Sequence, residues 1–193
     1  MLVLASESPR RKELLARLKV PFECVPADVT ELSEGRDPVA LPRRNALLKA
    51  NRVAARFPGA WVIGADTGIL AAGRLLGKPG SEAEAAAMLA MLQGTFHEVI
   101  TGVAVICRER RFRKSWSVKT DVTFAPLTKE QIGDYMRQVF VLDKAGAYAI
   151  QEHPELLGVR WRGELENVIG LPLAKLSAVL SACGVLPPRG GKS

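Results

Sequence analysis

The chain reads as an α/β fold built on one mixed sheet, and three features predict it. Strand-like and helix-like segments alternate along the chain, which implies helices packed on a sheet. The two longest strand candidates, 98–107 and 115–124, are joined by a short basic tip and read as a hairpin, so the sheet contains antiparallel as well as parallel pairs. With 193 residues and 48% hydrophobic content, the chain can bury the core of one domain, with room for two lobes.

The short apolar run Leu2 to Ala5 predicts a buried strand. Pro9 suits a first helical turn and Ser8 can cap it, so a helix is expected from Pro9 to about Leu18. Val20 to Val25 reads as a second strand, and the polar stretch Asp28 to Asp37 follows it. Leu41 to Arg56 reads as a helix, since Pro42 is tolerated in its first turn. Trp61 to Asp66 is a third strand, and Gly68 to Leu76 a hairpin turning at Gly73. Ser81 opens a helix with Glu84 placed for a capping box, and Gly94 closes it. After the long hairpin, Thr128 and Gln131 start a helix reaching about Arg137. Asp143 to Gln151 leads through small residues into a short strand ending at Gln151, and Asn167 to Pro172 forms a turn. The last helix runs from about Leu171 to Cys183 with Pro172 in its first turn and Gly184 ending it. The breaker-rich tail Pro187 to Ser193 is expected to be disordered, which leaves one domain over 1–186.

Composition excludes several classes. No run approaches the ~18 apolar residues of a membrane helix, and no secretory signal is recognisable, so a cytoplasmic protein is expected. Cys24, Cys107 and Cys183 lie far apart, and His97 and His153 are equally scattered, which suggests neither a disulfide framework nor a zinc site. A net charge of +7 and a pI of 9.6 point to an anionic partner. The densest basic run, Arg108 to Lys114, reads as a solvated hairpin tip in preference to a nucleic-acid contact.

The candidate chemistry starts at the N-terminus. Ser6, Ser8, Arg10 and Arg11 sit where a strand gives way to a helix, and free helix N–H groups beside two cations suit a phosphate. Asp66 ends an apolar strand behind the small residues Gly64 and Ala65, where ligands of open sheets bind. Lys78, held between Gly77 and Pro79, can face a phosphate chain, and Lys49 can reach a cleft from the apolar face of its helix. Pattern alone favours a turn former at Asp66 and a surface lysine at Lys78, and reads Lys49 equally as a snorkelling side chain. Glu31 and Asp66 together can hold a hard divalent cation. The Gln151 amide, donor and acceptor at once, can read a base edge.

Taken in order, Leu4-Ala-Ser-Glu-Ser-Pro-Arg-Arg11, Lys49-Ala50, Gly64-Ala-Asp-Thr67, Gly77-Lys-Pro79 and His97 with Thr101-Gly102 resemble the Maf family of nucleotide pyrophosphatases. Asp143-Lys-Ala-Gly-Ala-Tyr148, Ile150-Gln151, Asn167-Val168 and Gly170-Leu-Pro172 extend the likeness over about Leu2 to Leu180. The resemblance implies two lobes around a deep cleft. It also implies hydrolysis of nucleoside triphosphates to the monophosphate and pyrophosphate with Mg2+, Mn2+ or Co2+. By the same resemblance Asp66 is the proton acceptor, Glu31 and Asp66 lie at the metal, and Ser6, Ser8, Arg11, Lys49 and Lys78 line the phosphate site. Arg10, Thr67 and Gln151 match base-choice positions in the combination of the dTTP- and UTP-hydrolysing branch. The chain departs from the family pattern at Gly158 to Glu166, and at Asn45 and Leu47. A homodimer is compatible with the sequence, and no stable nucleic-acid or membrane partner is expected. The competing reading is a basic nucleic-acid-binding or cell-division regulatory protein without turnover. No helix has a dense basic face to support it.

Overall fold

The fold is described from a computed structural model, over residues 1–33 and 37–186. The tail 187–193, expected to be disordered, lies outside the described residues.

Strand β1 (Leu2–Leu4) is wholly buried. Helix α1 (Pro9–Ala16) follows with Pro9 in its first turn and the Ser8 hydroxyl accepting from the Arg11 N–H at 3.5 Å. Strand β2 is only Glu23–Cys24, not the expected 20–25, because it has just Val3 and Leu4 of the short β1 to pair with. Helix α2 (Leu41–Arg56) spans the expected residues after a 3-10 turn at Pro38–Ala40. Its buried positions fall at 41/42, 45/46, 49/50 and 53/54, one stripe at helical spacing.

Strand β3 (Trp61–Ala71) corrects one expectation: it runs five residues beyond Asp66. An unbroken antiparallel ladder to β5 (Phe96–Cys107), from Val62 through Leu70, carries it past the polar Asp66 and Thr67. β3 turns at Ala72 and Gly73, both with positive φ, into β4 (Arg74–Leu76). Helix α3 (Glu82–Leu92) is capped by Ser81, but the Glu84 carboxylate accepts from the Gly80 N–H at 2.7 Å, so the expected capping box is only half formed. The capping box of α4 (Lys129–Gln138) is complete between Thr128 and Gln131. Strand β6 (Phe112–Thr123) pairs antiparallel with β5 along its whole length.

The segment before Gln151 is not a strand. A 3-10 turn at Ala145–Ala147, with positive φ at Gly146 and Ala147, breaks the extended path. Helix α5 (Pro154–Leu157) leads into β7 (Arg160–Arg162), an edge strand on β6 with no counterpart among the sequence expectations. Asn167 lies within helix α6 (Leu165–Ile169) and not in a turn, because its buried side chain is bonded to the sheet beneath. Pro172 caps α7 (Leu173–Ala182) instead of entering it, so the helix begins two residues later than expected.

The sheet order is β2-β1-β3-β5-β6-β7, with β4 beside β3 further along. β2, β1 and β3 run parallel and the remaining pairs are antiparallel. At one end of the long strands, alternate residues bury on both faces: Ile63 and Val103 against α1 and α7, Val62 and Ala104 against α2. At the other end, Ile69, Val99 and Val122 join a separate core with α3 and α4. Two lobes therefore share β3, β5 and β6, with the cleft between them.

Candidate active site

The cleft opens where β3 lacks a neighbour on one edge. β1 pairs with Trp61 to Ile63 and β4 with Ile69 to Ala71, so the stretch from Gly64 to Gly68 has only β5 beside it. Asp66 and Thr67 sit in this gap and, as successive strand residues, project to opposite faces. The cavity there holds about 940 Å³, within the range of small-molecule sites, and all ten candidate residues line it: Ser6, Ser8, Arg10, Arg11, Glu31, Lys49, Asp66, Thr67, Lys78 and Gln151. Lys78 and Gln151 are exposed on its walls. The basic run Arg108 to Lys114 does not line it.

On the α2 face, the Lys49 ammonium lies 2.8 Å from Asp66 Oδ1 and 2.7 Å from Glu31 Oε1. Glycine makes this meeting possible. A Cβ on Gly64 would overlap the Ala46 carbonyl oxygen and one on Gly102 the backbone of Arg43, so α2 rests directly on β3 and β5. Asn45, one turn before Lys49 on the buried stripe, completes the group. Its amide donates to Asp66 Oδ2 at 3.0 Å and to the Leu32 carbonyl at 3.1 Å, and accepts from the Leu32 N–H at 2.8 Å. The loop carrying Glu31 is thereby clipped beside Asp66. Sequence reasoning treated Asn45 only as an atypical residue, although a polar side chain four residues from Lys49 on an apolar stripe was a usable signal. Burial raises the Glu31 pKa, but the hydrogen bond and charge of Lys49, with Arg11 and Asp66, outweigh it and hold the carboxyl below its ordinary value.

On the other face Arg11 is held at three points. Its Nε donates to the Gly170 carbonyl at 3.0 Å, Nη2 to Thr67 Oγ1 at 3.1 Å and Nη1 to Ser6 Oγ at 3.5 Å. Burial lowers its pKa, the Asp66 and Glu31 carboxylates partly restore it, and the neighbouring Arg10 lowers it again. Arg10 reaches across the cleft to Asp143, 3.1 Å from Oδ2. The buried Lys144 braces that contact, with Asp143 Oδ1 at 2.8 Å and Glu152 Oε1 at 3.3 Å. In the sequence Lys144 stands only as the second residue of the motif Asp143-Lys-Ala-Gly-Ala-Tyr148, with no role of its own. Tyr148, on the cleft wall, contacts Nε2 of the buried His97 behind it at 2.9 Å, and burial lowers the His97 pKa to about 4.

The donor set fits a hard divalent cation. Glu31 and Asp66 already converge on one cation, the Lys49 ammonium, at 2.7 and 2.8 Å. Among the described residues no group of three or more His, Cys, Asp or Glu forms an all-protein cage. Two carboxylates suit an ion that completes its shell with phosphate oxygens and water. Among the described residues no helix is long and apolar enough to cross a membrane.

The Maf-like protein family profile matches residues 1–183 of the chain. A dTTP/UTP pyrophosphatase of Moorella thermoacetica is 47% identical over 185 residues, 95% of this chain and 95% of that protein. The protein of the same name from Akkermansia muciniphila is 44% identical over 183 residues, 94% of this chain and 96% of the relative. Among solved structures, the Staphylococcus aureus Ham1 protein superposes with a TM-score of 0.52 at 16% identity, covering 94% of this chain and 98% of that one, which is a likeness of fold.

Proposed function

The chain belongs to the Maf-like protein family, and on that premise we propose that it hydrolyses dTTP and UTP to the monophosphate and pyrophosphate. The observation that carries this reading is the meeting of Asp66, Lys49 and Glu31 within hydrogen-bonding distance in a cleft that also contains Arg11 and Lys78. Relatives named dTTP/UTP pyrophosphatase, 47% and 44% identical over nearly the whole chain, supply the substrate class. The binding competitor is not favoured, since the basic hairpin tip stands apart from the cleft.

In the proposed reaction a water oxygen bonds to the α-phosphorus, the bond from that phosphorus to the bridging oxygen breaks, and pyrophosphate leaves. Asp66 accepts the water proton. Lys49 and Asn45, each on one of its oxygens, fix the carboxylate plane for that transfer. Arg11, Lys49 and Lys78 place positive charge against the phosphate oxygens, and the Ser6–Ser8 turn with the α1 N-terminus adds donors. Glu31 and Asp66 would hold a divalent cation, which when bound neutralises phosphate charge. In this reading Arg10, Thr67 and Gln151, all on the cleft wall, select the base, and the catalytic domain is 1–186. Action in the cytoplasm belongs to the same reading.

Pyrophosphate release measured across dTTP, UTP, CTP, GTP and ATP with Mg2+, Mn2+ or Co2+ tests the proposal. It predicts the highest kcat/KM for dTTP and UTP. Release from none of the five overturns it.

A further inference from the structure

Thr67 does not meet the cleft with a freely rotating hydroxyl. Its Oγ1 lies 2.9 Å from Oγ1 of Thr101, which is fully buried one strand away on β5. Thr101 Oγ1 in turn lies 2.9 Å from the backbone carbonyl oxygen of Asn167. A carbonyl oxygen can only accept, so the single hydrogen of Thr101 is committed to Asn167. Thr101 must then accept from Thr67, and the single Thr67 hydrogen points away from the cleft into the sheet. Arg11 Nη2 donates to the same Thr67 oxygen at 3.1 Å. The direction of every bond in this chain follows, from Arg11 through Thr67 and Thr101 to the Asn167 carbonyl.

The carbonyl end is firmly held. The Asn167 amide donates to the Val99 carbonyl at 3.0 Å and to Thr120 Oγ1 at 3.1 Å. Thr120 Oγ1 donates to the carbonyl of Glu164, the N-cap residue of α6, at 2.9 Å, so the start of α6 and Asn167 are both tied to the sheet. These bonds oppose a turn of the Asn167 carbonyl away from Thr101.

Toward a ligand, Thr67 therefore offers a lone pair and no hydrogen. Phosphate oxygens are acceptors themselves and gain nothing from it, whereas a base N–H can pair with it. Uracil and thymine carry a hydrogen on N3. Cytosine presents a bare lone pair at N3, which would stand against the Thr67 lone pair. We propose that Thr101 is a specificity-determining positioning residue that locks the Thr67 hydroxyl as an acceptor, so that the site takes pyrimidines bearing N3–H and rejects cytosine. This rests on the reading of the cleft as a pyrimidine nucleotide site, with Thr67 at the base.

The test compares kcat/KM for UTP and CTP in the wild type and in Thr101→Val, Thr101→Ser and Thr67→Val. The wild type favours UTP. Thr101→Val frees the Thr67 hydrogen to turn toward the cleft, so the UTP to CTP ratio falls by about tenfold, mainly through better use of CTP. Thr101→Ser keeps the hydroxyl and the wild-type ratio. Thr67→Val removes the lone pair, and the ratio falls through poorer use of UTP. An unchanged ratio in a folded Thr101→Val overturns the proposal. So does a wild type indifferent between UTP and CTP. If Thr101→Val loses its cooperative melt, Thr67→Val decides, and an unchanged ratio there overturns the proposal equally. A wild type that releases no pyrophosphate from UTP removes the functional reading itself, an outcome distinct from an active enzyme whose ratio ignores Thr101.

Discussion

Replacing Gly64 with alanine puts a methyl group where helix α2 lies against strand β3. The added carbon would overlap the Ala46 carbonyl oxygen and stand 2.8 Å from the Ala50 nitrogen and 3.0 Å from the Ala50 Cβ. Two of these are backbone atoms in mid-helix and the third is an alanine methyl, so no side-chain rotation relieves the overlap, and α2 has to retreat from β3. A retreat of roughly 1 Å would stretch the Lys49–Asp66 contact from 2.8 Å and the Asn45–Asp66 contact from 3.0 Å beyond hydrogen-bonding distance. Overpacking of this kind costs about 1–3 kcal/mol of stability. Displacing a positioning group by about 1 Å costs about 100-fold in rate. Denaturant unfolding of Gly64→Ala should show that loss with an unchanged slope, and the folded variant should lose about 100-fold in kcat for pyrophosphate release. Wild-type stability together with wild-type turnover would refute the claim that this close approach seats Lys49 and Asn45 on Asp66.

His97 predicts an acid-sensitive stability. Its folded pKa is near 4 and its ordinary value 6.5, so between those values the unfolded chain binds the extra proton and stability falls as pH falls, by roughly 3 kcal/mol across the window. Unfolding free energies measured from pH 7 to 4 should show this slope, and His97→Gln should flatten it. Gly170 has φ of +127°, and a Cβ there would stand 3.4 Å from both Arg11 Nε and Thr67 Oγ1. Gly170→Ala should cost about 1–3 kcal/mol in thermal or denaturant unfolding, and relief of that backbone strain should raise KM for dTTP by moving the carbonyl that accepts from Arg11 Nε. Chelation with EDTA should abolish pyrophosphate release, and added Mg2+, Mn2+ or Co2+ should restore it. Undiminished release after chelation would remove Glu31 and Asp66 from a cation-binding role.

Sequence pattern carried furthest where local signals were strong. Helix α2 was expected over the residues it occupies, because its apolar stripe and the proline in its first turn agree. The β5–β6 hairpin was legible because an apolar run and an alternating polar–apolar run flank one short turn. β3 was cut short at Asp66 because two polar residues mimic a strand end, while the ladder that carries it onward belongs to a strand thirty residues away in sequence. β7 was invisible, since all three of its residues are exposed and only pairing with β6 defines it. The candidate site residues could be named one by one, but their convergence could not. Asn45 clipping the Glu31 loop to Asp66, and the Asn167 carbonyl orienting two threonines, are contacts between distant segments without periodicity.

The proposed role of Asp66 as proton acceptor is tested most directly by turnover of Asp66→Asn on dTTP, read beside its thermal melt. The account predicts a cooperatively folded variant whose kcat for pyrophosphate release falls by about 10²–10⁴-fold. A folded Asp66→Asn that releases pyrophosphate at the wild-type rate would contradict it.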